Sequence, residues 1–298
     1  MRPLLSSLAL IALVALMTSS AHAEEIEGDP PLYFGTGNHV KVGVDMGISS
    51  FSNGSLLSFT PTLEGRFAIG DQFGIQVIVP TMFVSLSNDG GESSSRFELA
   101  NPTIAFEAVL DKMGRGATIV RGGVALPLVS FPDVVDLSGL EDIILQSANI
   151  TMSAGSRGMF NLWRYAPDTL SIFGELVGAV DYDGLYMEFG AGVGFLIPTS
   201  DNADTEIAVQ ASAKMGLGTT VIPFIGLGFV IIPTEYSSPN PDDGGGDAFQ
   251  FGIQAGVIAK LGNARLDFGA QLNIDSPFGF SFDDGGAFGL NLAATVPF

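Results

Sequence analysis

With 298 residues, a formal charge of −20 and no cysteine, the chain is too acidic to favour a nucleic-acid partner and holds neither disulfides nor a lipoprotein anchor. Yet 46% of it is hydrophobic, with 39 Gly and 23 Phe, more apolar mass than an acidic disordered chain carries.

Residues 1–23 read as a cleaved secretory signal. Arg2 supplies the positive end, Leu4 to Met17 is an apolar run broken only by Ser6 and Ser7, and Ala21-His22-Ala23 is a small-x-small cleavage site. The run is too short to span a bilayer comfortably as an anchor. Cleavage leaves 11 basic residues against 32 acidic ones. Residues 24–37 then form a periplasmic N-terminal segment. No other stretch of 18 apolar residues follows, which excludes spanning helices. A membrane protein without them is a closed barrel, because every backbone group in lipid needs a partner.

From residue 38 the chain alternates with period two, the expected pattern for spanning strands. The first strand, 38–51, sets Val40, Val42, Val44, Met46 and Ile48 against His39, Lys41 and Asp45. The second, 56–69, turns Leu57, Phe59, Leu63, Phe67 and Ile69 outward and Thr60, Thr62, Glu64 and Arg66 inward. A third (72–86) and a fourth (96–110, carrying Glu107) alternate poorly. A fifth, 116–131, sets Val120, Val124, Leu126 and Leu128 against Arg121.

The segment 132–167 is the one long excursion. Asp136 to Ser147 predicts a helix with Leu137, Leu140, Ile144 and Leu145 roughly on one face. The segment also holds Arg157, Arg164, Tyr165 and Trp163, the sole Trp. Its apolar content means that it packs on something, either folded into the mouth or lumen or laid over the rim as a lid. A loop of this length suggests a role.

Strands six (168–181, with Glu175), seven (184–197, with Glu188 among three glycines) and eight (204–217, with Glu206 and Lys214) alternate cleanly. Strand nine (221–235) does not: Ile222, Phe224, Val230 and Ile232 point inward if Val221, Ile225, Leu227, Phe229 and Ile231 face lipid. Strands ten (248–261, with Lys260), eleven (264–275, with Arg265 and Asp267) and twelve (286–298) complete the set. The fold class is thus all-β: an antiparallel up-and-down transmembrane barrel of about twelve strands with one long, partly helical extracellular loop. A soluble sandwich or lipocalin-like fold would also put one apolar and one polar face on each strand. Isolated charges among small residues, and strands long for a soluble sheet, favour the membrane. With the N-terminus periplasmic, inner turns such as Gly70-Asp71 and Gly262-Asn263 are short and most outer loops longer, as in such barrels.

Chemistry is sparse. His39 is the one mature histidine and lies at the periplasmic end, which argues against a Ser-His-carboxylate site; the chain is expected not to be an enzyme. No phosphate loop is present. Asp242 to Asp247 offers oxygen ligands of the kind Ca²⁺ takes, as does Asp283-Asp284, but both read as solvated acidic loops, so no metal or cofactor is expected. What remains is the lumen: Lys41, Arg66, Arg121, Lys214, Lys260 and Arg265 against Asp45, Glu64, Glu107, Glu175, Glu188, Glu206 and Asp267, with Arg157, Trp163 and Arg164 from the long loop. In a wet channel such a mix selects by charge and size; in a narrow barrel it pairs and plugs.

The leader, the hairpin series and the closing Leu292-Ala293-Ala294-Thr295-Val296-Pro297-Phe298 resemble bacterial outer-membrane porin-like barrels over residues 38–298. Pro297 departs from the usual ending, though an end position tolerates it. The resemblance implies an outer-membrane location, lipid as a partner, and recognition of Phe298 by the barrel-assembly machinery. A fainter likeness links the chain to twelve-stranded transporter-like barrels of the phenol-degradation type. The resulting expectation is a channel for passive diffusion of small solutes, cation-preferring through its acid surplus, with loop 132–167 shaping the entrance. A closed structural or surface-binding barrel, or an uptake route for a small apolar compound, stand as alternatives.

Overall fold

The computed structural model describes residues 37–51, 54–88, 90, 93–111, 116–130, 140–157, 160–199, 204–232, 249–274 and 287–298. The signal, the rest of the N-terminal segment, the run 240–247, the pair Asp283-Asp284 and the first part of the long loop, including Leu137, lie outside the described residues.

Among the described residues, thirteen strands form one antiparallel sheet that closes on itself. They are β1 (His39–Phe51), β2 (Gly54–Ile69), β3 (Phe73–Asn88), β4 (Ser93–Leu99), β5 (Thr103–Asp111), β6 (Ala117–Ala125), β7 (Thr169–Tyr182), β8 (Leu185–Pro198), β9 (Glu206–Leu217), β10 (Val221–Ile231), β11 (Phe249–Leu261), β12 (Ala264–Asn273) and β13 (Ala287–Pro297). Each pairs with its chain neighbours, except that β4 and β5 both pair with β3, and β1–β13 closes the ring from His39↔Pro297 to Ser49↔Ala287. β4 and β5 are two pieces of one stave, so the barrel has twelve. Closure pairs the staves on both sides except along β4, which pairs with β3 alone among the described residues, and so removes nearly all edge from lipid, as a spanning sheet requires.

The break in that stave corrects the expected single strand 96–110. Opposite it, the β3 ladder lapses at Val79 and Pro80, between Ile78↔Thr103 and Thr81↔Leu99. Pro80 and Pro102 have no N–H for the ladder, so the stave kinks at Asn101. The next strand is also shorter than expected: β6 stops at Ala125, and 126–130 continue as coil.

The outer face is apolar. Phe106, Ile225 and Leu292 are more than half exposed, as side chains that meet acyl chains must be. Phe67 and Phe298 meet edge to face at 6.1 Å across the closing strands. Turns at one end are tight, with Gly70, Asp183, Gly184 and Gly262 in the left-handed region that Gly and Asp tolerate.

The long loop folds inward. Its helix, α1 (Leu140–Gly155), lies inside the barrel, packed on β3 and touching β1, β2, β4 and β13. A 3₁₀ turn, Leu162–Arg164, follows. The helix runs on to Gly155, beyond the expected end at Ser147; the expected start, 136–139, lies outside the described residues. Of the predicted apolar face, Leu145 is buried and Ile144 is half exposed. Ile150 and Ala154 join Met82, Ala100, Val129 and Tyr165 in a core inside the barrel.

Candidate functional site

The plug is seated on glycines. Ser156 sits over Gly47 and Gly289, Phe160 over Gly228, and Trp163 over Gly194; a Cβ at Gly47 would lie 2.9 Å from Ser156 Cβ, and one at Gly194 2.7 Å from the Trp163 ring. These are distances real side chains do not adopt, so the wall carries hydrogen there because the plug occupies the space. Trp163 is fully buried and stacks on Phe173 with centroids 5.0 Å apart.

One residue that sequence reasoning missed ties wall to plug. Asn101, fully buried at the kink, donates from Nδ2 to the carbonyls of Trp163 (3.2 Å) and Ala166 (2.7 Å). Its Oδ1 accepts from the amides of Leu128 and Val129, both at 2.9 Å. Its own N–H donates to Arg164 O at 2.9 Å. The buried amide is thus fully satisfied, as burial requires.

Beneath the plug lies a cavity of about 380 Å³. The period of two brings inward residues of neighbouring strands side by side, and the pairings follow the register. Glu107↔Arg121 and Arg121↔Glu175 are direct rungs; Arg121 lies 3.4 Å from Glu107 and 3.5 Å from Glu175. Arg66 pairs with Glu107, both almost wholly buried. Glu64 accepts from Gln76 Nε2 at 2.7 Å and lies 3.7 Å from His39 Nε2. On the far side Glu188 faces Lys214 at 3.3 Å and Arg265 at 3.4 Å, and Arg265 also holds Asp267.

The loop adds to this network. Arg157 Nη1 reaches Asp45 at 2.6 Å and Tyr165 Oη at 3.4 Å. Burial works against its charge, but Asp45 and Tyr165 more than offset it and raise its pKa. Asn161, in the left-handed region that Asn tolerates, donates its N–H to Gln210 Oε1 at 2.8 Å. Arg164 is buried and lines the cavity. Burial, and next the Arg157 charge, lower its pKa, although a guanidinium stays protonated at any ordinary pH.

The structure therefore brings together Lys41, Asp45, Glu64, Arg66, Glu107, Arg121, Glu175, Glu188, Lys214, Arg265 and Asp267, joined by Arg157 and Arg164, around one cavity. Trp163 anchors the plug rather than the cavity. Two candidates stand apart. Lys260 pairs with Asp181 at 3.2 Å, and Glu206 opens β9 opposite Leu196, outside the lining. An apolar cluster of Ala179, Tyr186, Ile222, Phe224 and Ile258 adds to the barrel filling, which accounts for the inward Ile222 and Phe224 of β10. Among the described residues, no cluster of three or more His, Asp or Glu is arranged to hold a metal.

The acid surplus of the whole chain does not extend to this lining. Seven cations (Lys41, Arg66, Arg121, Arg157, Arg164, Lys214 and Arg265) stand against six carboxylates (Asp45, Glu64, Glu107, Glu175, Glu188 and Asp267).

No family model and no curated protein matches this chain. Solved structures do. An outer-membrane channel from Pseudomonas putida F1 superposes with a TM-score of 0.54 at 12% identity, over 92% of this chain and all of that one. The NanC porin gives 0.49 at 4% identity, over 86% of this chain and all of that one. The transport unit of the autotransporter AIDA-I from Escherichia coli gives 0.46 at 9% identity, over 97% of both chains. The architecture is that of a bacterial outer-membrane barrel.

Proposed function

We propose that the protein is a non-enzymatic outer-membrane channel for passive diffusion of small solutes, constricted by its own inward-folded loop. The observation that carries this reading is the glycine-seated plug above a polar cavity. A barrel that served only as a wall anchor has no use for a lumen of paired charges with space left between them, and a charged, wet passage is how such barrels select by size and charge. The near balance of charge in the lining gives no basis for a cation preference inside the lumen. Any such preference belongs to the acidic loops at the mouth.

The test is single-channel conductance of refolded mature protein beside a version in which a short Gly/Ser linker replaces residues 134–164. Small steps in the first and larger, less selective steps in the second are expected. No steps in either would overturn the reading and leave a closed structural barrel.

A second reading, entry of a small apolar compound through the wall, draws on one feature. Among the described residues, β4 pairs with β3 alone. Coil residues 126–130 lie beside it, with Phe97, Leu99, Leu126 and Leu128 exposed. Quenching of Trp163 emission by brominated lipid would favour this route, since Trp163 is fully buried inside the barrel.

A further inference from the structure

Every carboxylate that lines the cavity has an ion-pair partner or, for Glu64, a hydrogen bond and a nearby imidazole. The cations do not match them one for one. Among the described residues, neither Lys41 nor Arg164 has an ion pair; Lys41 is the more exposed of the two, whereas Arg164 is buried and its Nε has no hydrogen-bond partner. It is only 7% exposed and lines the cavity. The Glu175 and Glu64 charges favour its protonated form only from beyond ion-pair distance, and a buried guanidinium without a directly paired carboxylate is costly. Its neighbours also argue that it is not simply a pair that failed to form: the chain places it on a 3₁₀ turn whose backbone is fixed by Asn101 and Asn161, so the side chain is carried to the cavity roof by elements already in place.

We propose that the cavity beneath the plug binds one small organic monocarboxylate through the Arg164 guanidinium. This rests on the lumen being a solute path and names the class of solute the path would hold. The charge of the lining sets the stoichiometry. Seven cations against six carboxylates leave an excess of one, which a single monoanion neutralises. A di- or trianion would meet the six carboxylates already present. The planar guanidinium fork matches a carboxylate in two-point geometry. Phe160 and Val177, which also line the cavity, offer apolar surface for a short hydrocarbon tail.

The experiment is equilibrium dialysis of radiolabelled butyrate against detergent-solubilised mature protein, with butyramide as the neutral isostere. One saturable butyrate site is expected, with no site for butyramide. Arg164→Gln should weaken butyrate by about tenfold or more, as loss of a charge-assisted bidentate contact does. Arg164→Lys, which keeps the charge and loses the fork, should fall between, and it serves if the Gln variant does not fold. No saturable site in the wild type, or equal binding by the Gln variant, overturns the proposal. Dialysis needs no conduction. Binding without single-channel steps would leave the site standing and remove the path; steps without binding would do the reverse.

Discussion

Asn101→Leu is the sharpest test of how the plug is held. The substitution keeps the approximate volume of the side chain and removes four hydrogen bonds: two donated to Trp163 O and Ala166 O, two accepted from Leu128 and Val129. At about 1 kcal/mol each the loss is about 4 kcal/mol. It falls on the seat of the plug, because the ladders of β3, β5 and β6 do not use this side chain. The barrel should therefore fold while the plug loosens. Trp163 is the sole Trp of the chain, so its emission reports on the plug alone, and a shift to longer wavelength is expected. Trypsin should gain access to Arg157 and Arg164. Asn101→Asp separates the two halves, since it keeps the acceptor for the Leu128 and Val129 amides and loses both donors. Unchanged emission and unchanged resistance to trypsin in Asn101→Leu would refute the role given to this residue.

Three further outcomes follow from the same geometry. Glu107→Gln strips the carboxylate from Arg66, which is 1% exposed, and should destabilise by about 3–5 kcal/mol, whereas the Arg66→Met, Glu107→Met double variant should lose much less; heat-modifiable gel mobility and melting temperature read both. Gly194→Val drives a side chain into the Trp163 ring and should raise single-channel conductance by displacing the plug. Gly43→Ala, whose Cβ would meet Ala293 at an ordinary 3.6 Å, should leave conductance as it was.

What was legible in the sequence is what lipid imposes. The outward residues of β1, β8, β11 and β12 alternate because each must face acyl chains, and their inward partners were assigned to the lumen from parity alone. The strands that alternated poorly carry a different message. On β3 the inward Ile78, Met82 and Val84 are fully buried because α1 covers that stretch of wall, and on β10 Ile222 and Phe224 fill the barrel below. Their apolar inner faces are the imprint of the filling. The helix register was harder to read, since α1 buries Gln146, Asn149 and Ser153 along with its apolar residues and so lacks a clear polar side. Asn101 gave one missed signal: a proline, Pro102, inside an expected spanning strand demands an irregularity.

The two halves of the plug are not held alike, and this predicts where it opens. The segment 161–166 is anchored directly to the wall: Asn101 binds three of its carbonyls, Gln210 binds Asn161, and Trp163 stacks on Phe173. Along α1 and the β2 wall it touches, buried side-chain atoms of Ser58, Thr60, Asn149 and Ser153 have no partner among the described residues. Each dry orphan costs about 1–3 kcal/mol, a cost that entry of water removes. Wetting the seam therefore favours separation of α1 from β2, whereas 161–166 carries fewer such atoms, Trp163 Nε1 and Arg164 Nε, and keeps its bonds to Asn101 and Gln210. In hydrogen exchange of the intact barrel, amides of 144–153 should exchange at least about tenfold faster than those of 164–166, which corresponds to about 1.4 kcal/mol of local stability. If the two segments exchange together, the plug moves as one body and the order of opening argued from the seam is wrong.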